Sequence, residues 1–266
     1  MRKNTWLDVV FISVGVLVAA FLIVPVVISI LGSFSAYWTT SLFSQGFTLK
    51  WYQYVWENYG HTIRFSVMIA VFAVVADVLI GVPLGYALTR SNSRWMKLLE
   101  EITALPVAVP GTAVALALVQ THAFMRGSWL FLAIGHVVVT LPLVVRPVAA
   151  AMRTAQLRAL EEAAASLGAS RITRLLRVVF PNIRGAILAG ALMALTMSMG
   201  EFNLTFFLYT PLTMTMPVGL YESYASLRIE IGSAYTTIFL AITLPLMLLV
   251  QYLGGESTLR ARGGGV

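Results

Sequence analysis

The sequence contains no cysteine, and Asp, Glu, Lys and Arg make up only 11% of its 266 residues. The absence of cysteine excludes disulfides, thiolate metal sites and cysteine nucleophiles. The chain also has no G-x-x-x-x-G-K-[ST] phosphate loop, and its three histidines do not follow a metal-ligand spacing. We therefore expect no enzyme activity, no metal and no cofactor bound by this chain. Any ATP hydrolysis would have to come from another subunit.

Long apolar runs dominate the chain instead. Hydrophobic residues account for 59% of it, and the mean hydropathy is +0.85. Six runs are long enough to cross the hydrocarbon core of a bilayer as helices, at residues 9–31, 63–88, 98–120, 129–152, 183–209 and 233–253. This pattern predicts an all-α, polytopic membrane bundle of about six transmembrane helices. We expect residues 1–266 to form a single domain within the lipid bilayer.

The first apolar run could be a signal peptide or a retained span. It extends over 23 residues, from Val9 to Leu31, whereas the apolar core of a secretory signal is about 7–15 residues long. We therefore expect a retained first span.

The basic residues are distributed unevenly between the two sides of the predicted bundle. Thirteen of the 18 Lys and Arg residues fall on one side, and four fall on the other. Because basic residues collect on the cytoplasmic side of membrane proteins, both termini are predicted to be cytoplasmic. The same bias explains the net charge of +7 without a nucleic-acid partner.

Several polar side chains fall within the predicted spans. Asp77, His136, Arg146 and Glu201 are costly at this depth, so they should face a cavity or a partner. The alternative is a structural role: a pair between Arg146 and an acid, or Arg146 near the cytoplasmic head groups. A continuous helix over 183–209 would place Glu201 and Thr205 on one face, with Asn203 offset, and the best candidates for a solute pathway are Glu201, Asn203, Thr205, Phe206 and Asp77.

Two further features of the spans and their flanks are informative. Pro106 and Pro110, four residues apart, predict a discontinuous third span. An aromatic-rich loop precedes the second span, and an interfacial helix is predicted there over residues 49–58.

The polar segment 153–182 has the pattern of a helix, a tight turn and a second helix. Residues 155–167 are strong helix formers, and Gly168 is a natural helix stop. Ser170 can cap a second short helix that runs to Arg177. Pro181 suits the first turn of the fifth span, and Arg158 can pair with Glu162.

The faces of this segment suggest two alternatives. Ala159, Ala163 and Ala164 are too small to build a core, but they allow a partner backbone to approach closely. Arg171, Arg174 and Arg177 form a basic stripe that could face anionic lipid head groups. The segment could therefore lie on the membrane surface or dock into a groove of another protein.

Residues 162–181 resemble a known sequence motif. Glu162-Ala163-Ala164, then Gly168, then Val178-Val179-Phe180-Pro181 is similar to the EAA loop of ABC-importer permeases, with Phe180 where the family pattern has Leu. The flanking stretches TLPLVVRPVAAAMR and IRGAILAGALMALTMSMGEFN are also similar to this family. GEFNLTFFLYTPLTMTMPVGLY is most like its polyamine and 2-aminoethylphosphonate branch.

The resemblance implies a type I importer permease in a bacterial inner membrane. Its loop 153–182 would dock on an ATP-binding-cassette ATPase dimer, which would bind ATP and Mg. A second permease subunit, expected to be a different chain, and an extracytoplasmic solute-binding protein would complete the complex. The residues that the resemblance assigns to ATPase coupling are Ala159, Glu161, Glu162, Ala163, Ala164, Ser166, Leu167, Gly168 and Pro181.

The nature of the solute is the most open question. The branch resemblance implies a polyamine, 2-aminoethylphosphonate or a similar small amine, and Asp77 and Glu201 would suit an amine. A sugar or another small solute is an alternative for the same type of importer. An ion-coupled secondary transporter that uses Asp77, Arg146 and Glu201 is the alternative from another class.

Overall fold

The computed structural model describes residues 5–38, 43, 45–91 and 93–263. Its regular structure within those residues is helical, apart from one isolated antiparallel bridge between Ser35 and Phe47. The helices are α1 Thr5–Gly32, α2 Lys50–Arg90, α3 Arg94–Ala108, α4 Gly111–Thr121, α5 Trp129–Met152, α6 Ala155–Ser166, α7 Arg171–Arg174, α8 Phe180–Gly200, α9 Asn203–Leu208, α10 Met216–Ala225 and α11 Ile229–Gly263. A short 3₁₀ turn covers Ala123–Met125, and a π-helical turn covers Leu175–Val179.

The predicted membrane bundle is confirmed. In the described part of the chain, five helices are long and apolar enough to cross a bilayer: Val9–Gly32, Lys50–Arg90, Trp129–Met152, Arg171–Gly200 and Ile229–Leu249. α3 and α4 together pass the same test but are bent by 111°. The bend follows Val109, which has an extended backbone, and Pro110, which has no N–H to continue a helix. The predicted discontinuity of the third span is therefore confirmed.

Three predicted boundaries are wrong. The interfacial helix over 49–58 is the first part of α2, which continues without a break from Lys50 to Arg90. The fifth span ends at Gly200 rather than at residue 209, because Glu201 has an extended backbone and α9 begins only at Asn203. The short helix that Ser170 caps does not stop at Arg177 but runs on into the fifth span.

The π-helical turn explains how this last continuity survives a proline. Pro181 lies in the first turn of α8, as expected, but helical turns also precede it. Proline removes one backbone hydrogen bond from a helix and crowds the carbonyl of the preceding turn. The wider turn over Leu175–Val179 ends two residues before the proline and includes Arg177, the residue four positions before it, so the lost hydrogen bond and the crowding fall within this turn. Residues 171–200 consequently form one span.

The described residues group into two compact units. The first combines residues 1–60 with 219–241. Within it, Phe34 stacks on Phe47 with ring centroids 5.3 Å apart, and the Trp51 indole N–H donates to the Ser35 carbonyl oxygen at 2.9 Å. Residues 9–28 of α1 are exposed throughout, which fits a helix whose surroundings are lipid or another chain.

The second unit combines residues 61–218 with 242–266 and contains the candidate functional residues. Its apolar cores join α2, α5 and α8 in one cluster and α4, α5 and α9 in another. Small residues allow close approach of these helices: a Cβ at Gly85 would lie 3.0 Å from Val148 Cγ1, and a Cβ at Gly190 would lie 3.0 Å from Val144 Cα. α5 is therefore the helix around which this unit is packed.

Candidate functional site: a coupling segment and a buried polar network

Residues 153–182, here called the coupling segment, form the predicted helix and tight turn. α6 ends in a Schellman motif, in which the Ala169 N–H donates to the Ala164 carbonyl oxygen at 3.0 Å and the Gly168 N–H donates to the Ala165 carbonyl oxygen at 2.9 Å. Gly168 has φ +82°, and a Cβ there would meet no atom within 4 Å. The glycine is therefore required by the backbone conformation and not by lack of space.

The coupling segment exposes several large apolar side chains among its polar ones. Leu167 is 89% exposed, Ile172 is 70% exposed, and Leu160 and Leu176 are also exposed. Most of the residues assigned to ATPase coupling are exposed too, and Ala164 is half-buried. The exposed ones are Ala159, Glu162, Ala163, Ser166, Leu167, Gly168 and Pro181. The two buried residues of α6 are Leu157 and Glu161.

Glu161 is therefore placed differently from the rest of the predicted coupling set. Its Oε2 accepts from the Arg90 Nε at 2.9 Å and from the Arg90 Nη2 at 2.6 Å, and its Oε1 accepts from the Tyr86 hydroxyl at 2.8 Å. Arg90 also donates from Nη1 to the Met152 carbonyl oxygen at 3.0 Å. Burial works against the charged carboxylate, but the hydrogen bonds from Arg90 and Tyr86 and the charge of Arg90 outweigh it and lower the pKa of Glu161.

The Arg158–Glu162 pair proposed from the sequence is not formed within the described residues. Both residues instead line a cavity of about 350 Å³ together with Arg90, Glu161 and Arg174. The Nε of Arg174 is buried there without a hydrogen-bond partner in the part of the chain that the structure describes. Arginine side chains thus outnumber carboxylates around this cavity.

A chain of polar contacts crosses the interior of the second unit. The Thr140 hydroxyl lies 2.6 Å from Asp77 Oδ2 and 2.7 Å from the His136 carbonyl oxygen. His136 Nδ1 lies 2.7 Å from Ser198 Oγ, and its Nε2 lies 2.9 Å from Thr205 Oγ1. A neutral imidazole donates through one nitrogen and accepts through the other, so it satisfies both hydroxyls. This network links α2, α5, α8 and α9.

Glu201 contributes to the same region through a backbone contact. Its Oε1 accepts the Leu204 N–H at 2.7 Å and so caps the first turn of α9. The absence of a side chain at Gly111 lets the start of α4 approach: a Cβ there would lie 3.2 Å from Glu201 Oε1. The helical spacing expected for Glu201 and Thr205 is wrong, because Glu201 lies in the break before α9.

The other predicted pathway residues differ in accessibility. Asn203 is exposed and Phe206 is half-buried, whereas Asp77, Glu201 and Thr205 are buried. Asp77 Oδ1 has no hydrogen-bond partner among the described residues. The structural pair considered for Arg146 is not formed in the described part of the chain; Arg146 is exposed in a cavity of about 640 Å³ beside an ion pair between Glu100 and Arg153.

Sequence reasoning did not find Tyr86, Arg90, Thr140 and Ser198 as members of these sites. Arg90 and Glu161 are 71 residues apart, and no local spacing connects them. Thr140 and Ser198 are ordinary residues within apolar runs, where a hydroxyl carries no signal without its partner. Among the described residues, no cluster of three or more His, Cys, Asp or Glu could hold a metal ion.

A bundle of membrane-spanning helices with one broken span, a polar interior and an exposed helix–turn–helix segment fits a membrane transport permease. Comparison with known proteins agrees: residues 77–255 match the family described as "Binding-protein-dependent transport system inner membrane component". The chain belongs to this family. It is thus a multi-pass inner-membrane permease component of an ABC importer, and its family is one of transport permeases rather than ATPases.

Curated relatives extend over nearly the whole chain. The spermidine/putrescine transport system permease protein PotC of Shigella flexneri is 28% identical over 260 residues, which cover 93% of this chain and 94% of the relative. The putative 2-aminoethylphosphonate transport system permease protein PhnV of Salmonella typhimurium is 28% identical over 245 residues, covering 89% and 91%.

Solved structures share the fold. One is a bacterial alginate ABC transporter in complex with an alginate pentasaccharide-bound periplasmic protein. Its matching chain has a TM-score of 0.75 and 17% identity, with 97% of this chain and 96% of that chain covered. A second structure, of a bacterial ABC transporter involved in alginate import, gives a TM-score of 0.72 at 16% identity, with 95% and 98% covered.

Proposed function

We propose that this permease imports a small amine-bearing solute and that its coupling segment docks on a separate ATPase subunit. The observation that carries the docking role is the exposed apolar surface of the coupling segment. Leu167 and Ile172 lie on either side of the Gly168 turn and are largely exposed. Apolar side chains of this size on a polar segment are characteristic of a protein–protein contact.

The shape of the segment supports docking more than lipid binding. Small side chains at Ala159 and Ala163 let a partner backbone approach α6 closely, while Leu160 and Leu167 supply apolar anchors. The Schellman turn keeps the two arms in one defined arrangement, so little conformational entropy is lost on binding. ATP and Mg would bind to the partner ATPase dimer, whose closure would pull on the segment.

The remaining proposed partners follow from the role of the chain as the permease of an ABC importer. A second permease subunit, expected to be a different chain, and an extracytoplasmic solute-binding protein complete the proposed importer. The excess of Lys and Arg on one side of the bundle supports placing the coupling segment and both termini in the cytoplasm.

Two observations support an amine as the solute. The relatives PotC and PhnV are named for spermidine/putrescine and 2-aminoethylphosphonate transport. Of the three buried acidic residues described in the second unit, Glu161 is paired with Arg90, whereas Asp77 and Glu201 lie within the interior polar region. We propose that Asn203, which is exposed, and Phe206, which is half-buried, meet the solute, while the buried Glu201 and Thr205 hold α9 in place.

Docking can be tested by cysteine crosslinking, since the chain has no cysteine of its own. A bifunctional maleimide should link Leu167→Cys and Ile172→Cys, each in turn, to a cysteine of the ATPase subunit. Phe124→Cys, equally exposed in the turn between α4 and α5, is the matched control and should not be captured. Failure of both coupling-segment cysteines in vesicles that are transporting would contradict the docking role.

The solute class can be tested in proteoliposomes that contain the full complex and its binding protein. We expect ATP-dependent uptake of labelled putrescine, spermidine or 2-aminoethylphosphonate, and no uptake of a neutral sugar. Sugar uptake would contradict the amine assignment. Uptake that follows an ion gradient without ATP would contradict the coupling mechanism itself.

A further inference from the structure

We propose that Arg90, Tyr86 and Glu161 form a coupling joint, a polar contact through which movement of α6 is transmitted to α2 and α5. The inference rests on the proposed docking of the coupling segment. It concerns a different surface of α6, namely the face that points into this chain. These residues position the moving helices and touch neither solute nor nucleotide.

The attachment of α6 to the rest of the chain is narrow. Its two buried residues, Leu157 and Glu161, are four residues apart and therefore lie on one face of the helix. Leu157 belongs to the apolar cluster shared by α2, α5 and α8. An apolar contact resists separation but permits sliding, because it has no preferred direction. The directional part of the attachment is therefore supplied by Glu161.

The hydrogen bonds of the joint connect three helices. Both Glu161 oxygens accept from α2, one from the Tyr86 hydroxyl and one from the Arg90 guanidinium. The remaining arm of Arg90 donates to the carbonyl oxygen of Met152, the last residue of α5. A planar guanidinium that binds at several of its donors fixes both the distance and the angle between its partners. Displacement of α6 must therefore move the ends of α2 and α5 with it.

The burial of this pair separates it from an ordinary surface ion pair. The side chains of Arg90 and Glu161 are 22% and 8% exposed, whereas those of Arg153 and Glu100 are 45% and 43% exposed. Exposed pairs are weakened by water and salt, and they hold their partners loosely. The Glu100–Arg153 pair has nearly the same length but lies outside the joint, so it provides a matched control.

Neighbouring charge makes Glu161 indispensable to this arrangement. Arg174 and Arg158 line the same cavity as the joint, and the Arg174 Nε is buried without a partner among the described residues. If Glu161 loses its charge, only Glu162 remains to balance three guanidinium groups around the cavity. Repulsion between them would push the α7 arm and α2 apart. The joint is then expected to open even if α6 keeps its helical structure.

The test compares solute uptake with ATP hydrolysis in the reconstituted complex. Glu161→Gln should lower the number of solute molecules imported per ATP by roughly fivefold or more, while ATPase turnover and co-purification of the subunits remain within about twofold of wild type. The milder variant Tyr86→Phe, which removes a single hydrogen bond, should lower the ratio by roughly twofold. Glu100→Gln should leave it unchanged.

A covalent tether provides the rescue. In Arg90→Cys/Glu161→Cys, uptake per ATP should be low, and a short bifunctional maleimide that links the two cysteines should restore it at least in part. Recovery supports a mechanical connection, because a tether cannot replace a purely electrostatic effect. If uptake per ATP stays low after the two cysteines are linked, the proposed coupling joint is overturned.

The outcomes separate this inference from the docking proposal. If Leu167→Cys captures the ATPase but Glu161→Gln imports normally per ATP, docking stands and the joint is overturned. If uptake and ATPase turnover fall together in Glu161→Gln, the defect is in assembly and the joint is also overturned. If no coupling-segment cysteine ever captures the ATPase, the docking proposal fails first.

Discussion

Gly190 in α8 lies directly against Val144 in α5: a Cβ on the glycine would be 3.0 Å from Val144 Cα and 3.0 Å from the Leu143 carbonyl oxygen. Both of those atoms belong to backbone, so they cannot rotate away. α5 and α8 carry the two ends of the His136–Ser198 contact, and α8 continues directly from the coupling segment. The close packing of α5 and α8 is therefore sensitive to any side chain added at Gly190.

We expect Gly190→Ala to destabilise the protein by about 1–3 kcal/mol, the range found when a well-packed contact is overfilled. The measurement is the thermal unfolding midpoint in detergent. Gly185→Ala on the same helix is the control, because a Cβ there meets nothing within 4 Å. It should be neutral or slightly stabilising, because alanine favours helix over glycine. Equal loss in both variants would contradict the packing argument.

The Gly168 turn leads to a prediction about backbone conformation. Gly168→Pro cannot adopt φ +82° and also loses the N–H that bonds to the Ala165 carbonyl oxygen. We expect the spans to insert normally but uptake per ATP to fall by roughly tenfold, because the two helices on either side of the turn no longer hold their exposed side chains in the arrangement that docks on the ATPase. Gly168→Asn, which tolerates a left-handed backbone, should retain most of the uptake. Normal uptake in the proline variant would argue against the role of the turn.

The buried contact between Thr140 and Asp77 can be tested with an isosteric change. Thr140→Val removes the hydroxyl that lies 2.6 Å from Asp77 Oδ2 and leaves both carboxyl oxygens without a side-chain partner among the described residues. We expect a loss of about 1–3 kcal/mol in unfolding free energy, the cost of an unsatisfied buried group. Thr121→Val, an exposed threonine in α4, should have little effect.

A second substitution checks that this loss comes from Asp77. In the Thr140→Val background, Asp77→Asn should recover part of the stability, since a neutral amide is less costly to leave unpaired than a carboxylate. If the stability changes of Thr140→Val and Asp77→Asn, each measured alone, simply add up in the double variant, the two residues act independently.

The coupling joint also has a defined pH dependence. Its hydrogen bonds and charges lower the pKa of Glu161 from its usual value of 4.5, so the folded protein holds the carboxylate more firmly than the unfolded chain does. The contribution of Glu161 to the stability of the folded protein is therefore fully present above about pH 4.5. It is lost as the pH falls through the depressed pKa of the folded state. The groups that face Glu161 are Arg90 and Tyr86, with Arg174, Arg158 and Glu162 around the same cavity.

We expect the difference in unfolding midpoint between wild type and Glu161→Gln to stay constant from pH 8 to pH 5 and to shrink below about pH 4.5. Parallel thermal scans of both proteins at several pH values provide the measurement. A difference that vanished already near pH 6 would show that the pKa of Glu161 is raised rather than lowered.

Several features were predictable because they depend on neighbours in the chain. The turn at Gly168 follows from a run of helix formers and one residue that tolerates positive φ, and the Ser170 cap forms as expected, with its Oγ accepting the Thr173 N–H at 3.2 Å. The break in the third span follows from Pro110. Two of the three boundary errors share one cause: hydropathy does not change where α2 begins or where the fifth span ends, so composition carried no signal for either point.

The amino-acid sequence alone determined that the chain is a helical membrane bundle whose coupling segment consists of a helix, a tight turn and a second helix. Bilayer thickness, helix propensity and turn geometry all act over a few to twenty neighbouring residues. Only the tertiary structure decided that Glu161 is buried against Arg90 while Glu162 stays exposed at the edge of the same cavity, and that His136 joins Ser198 to Thr205. Those pairings join residues about 60 to 70 positions apart. They form because helix packing brings the side chains within hydrogen-bond distance, and no local pattern encodes that packing.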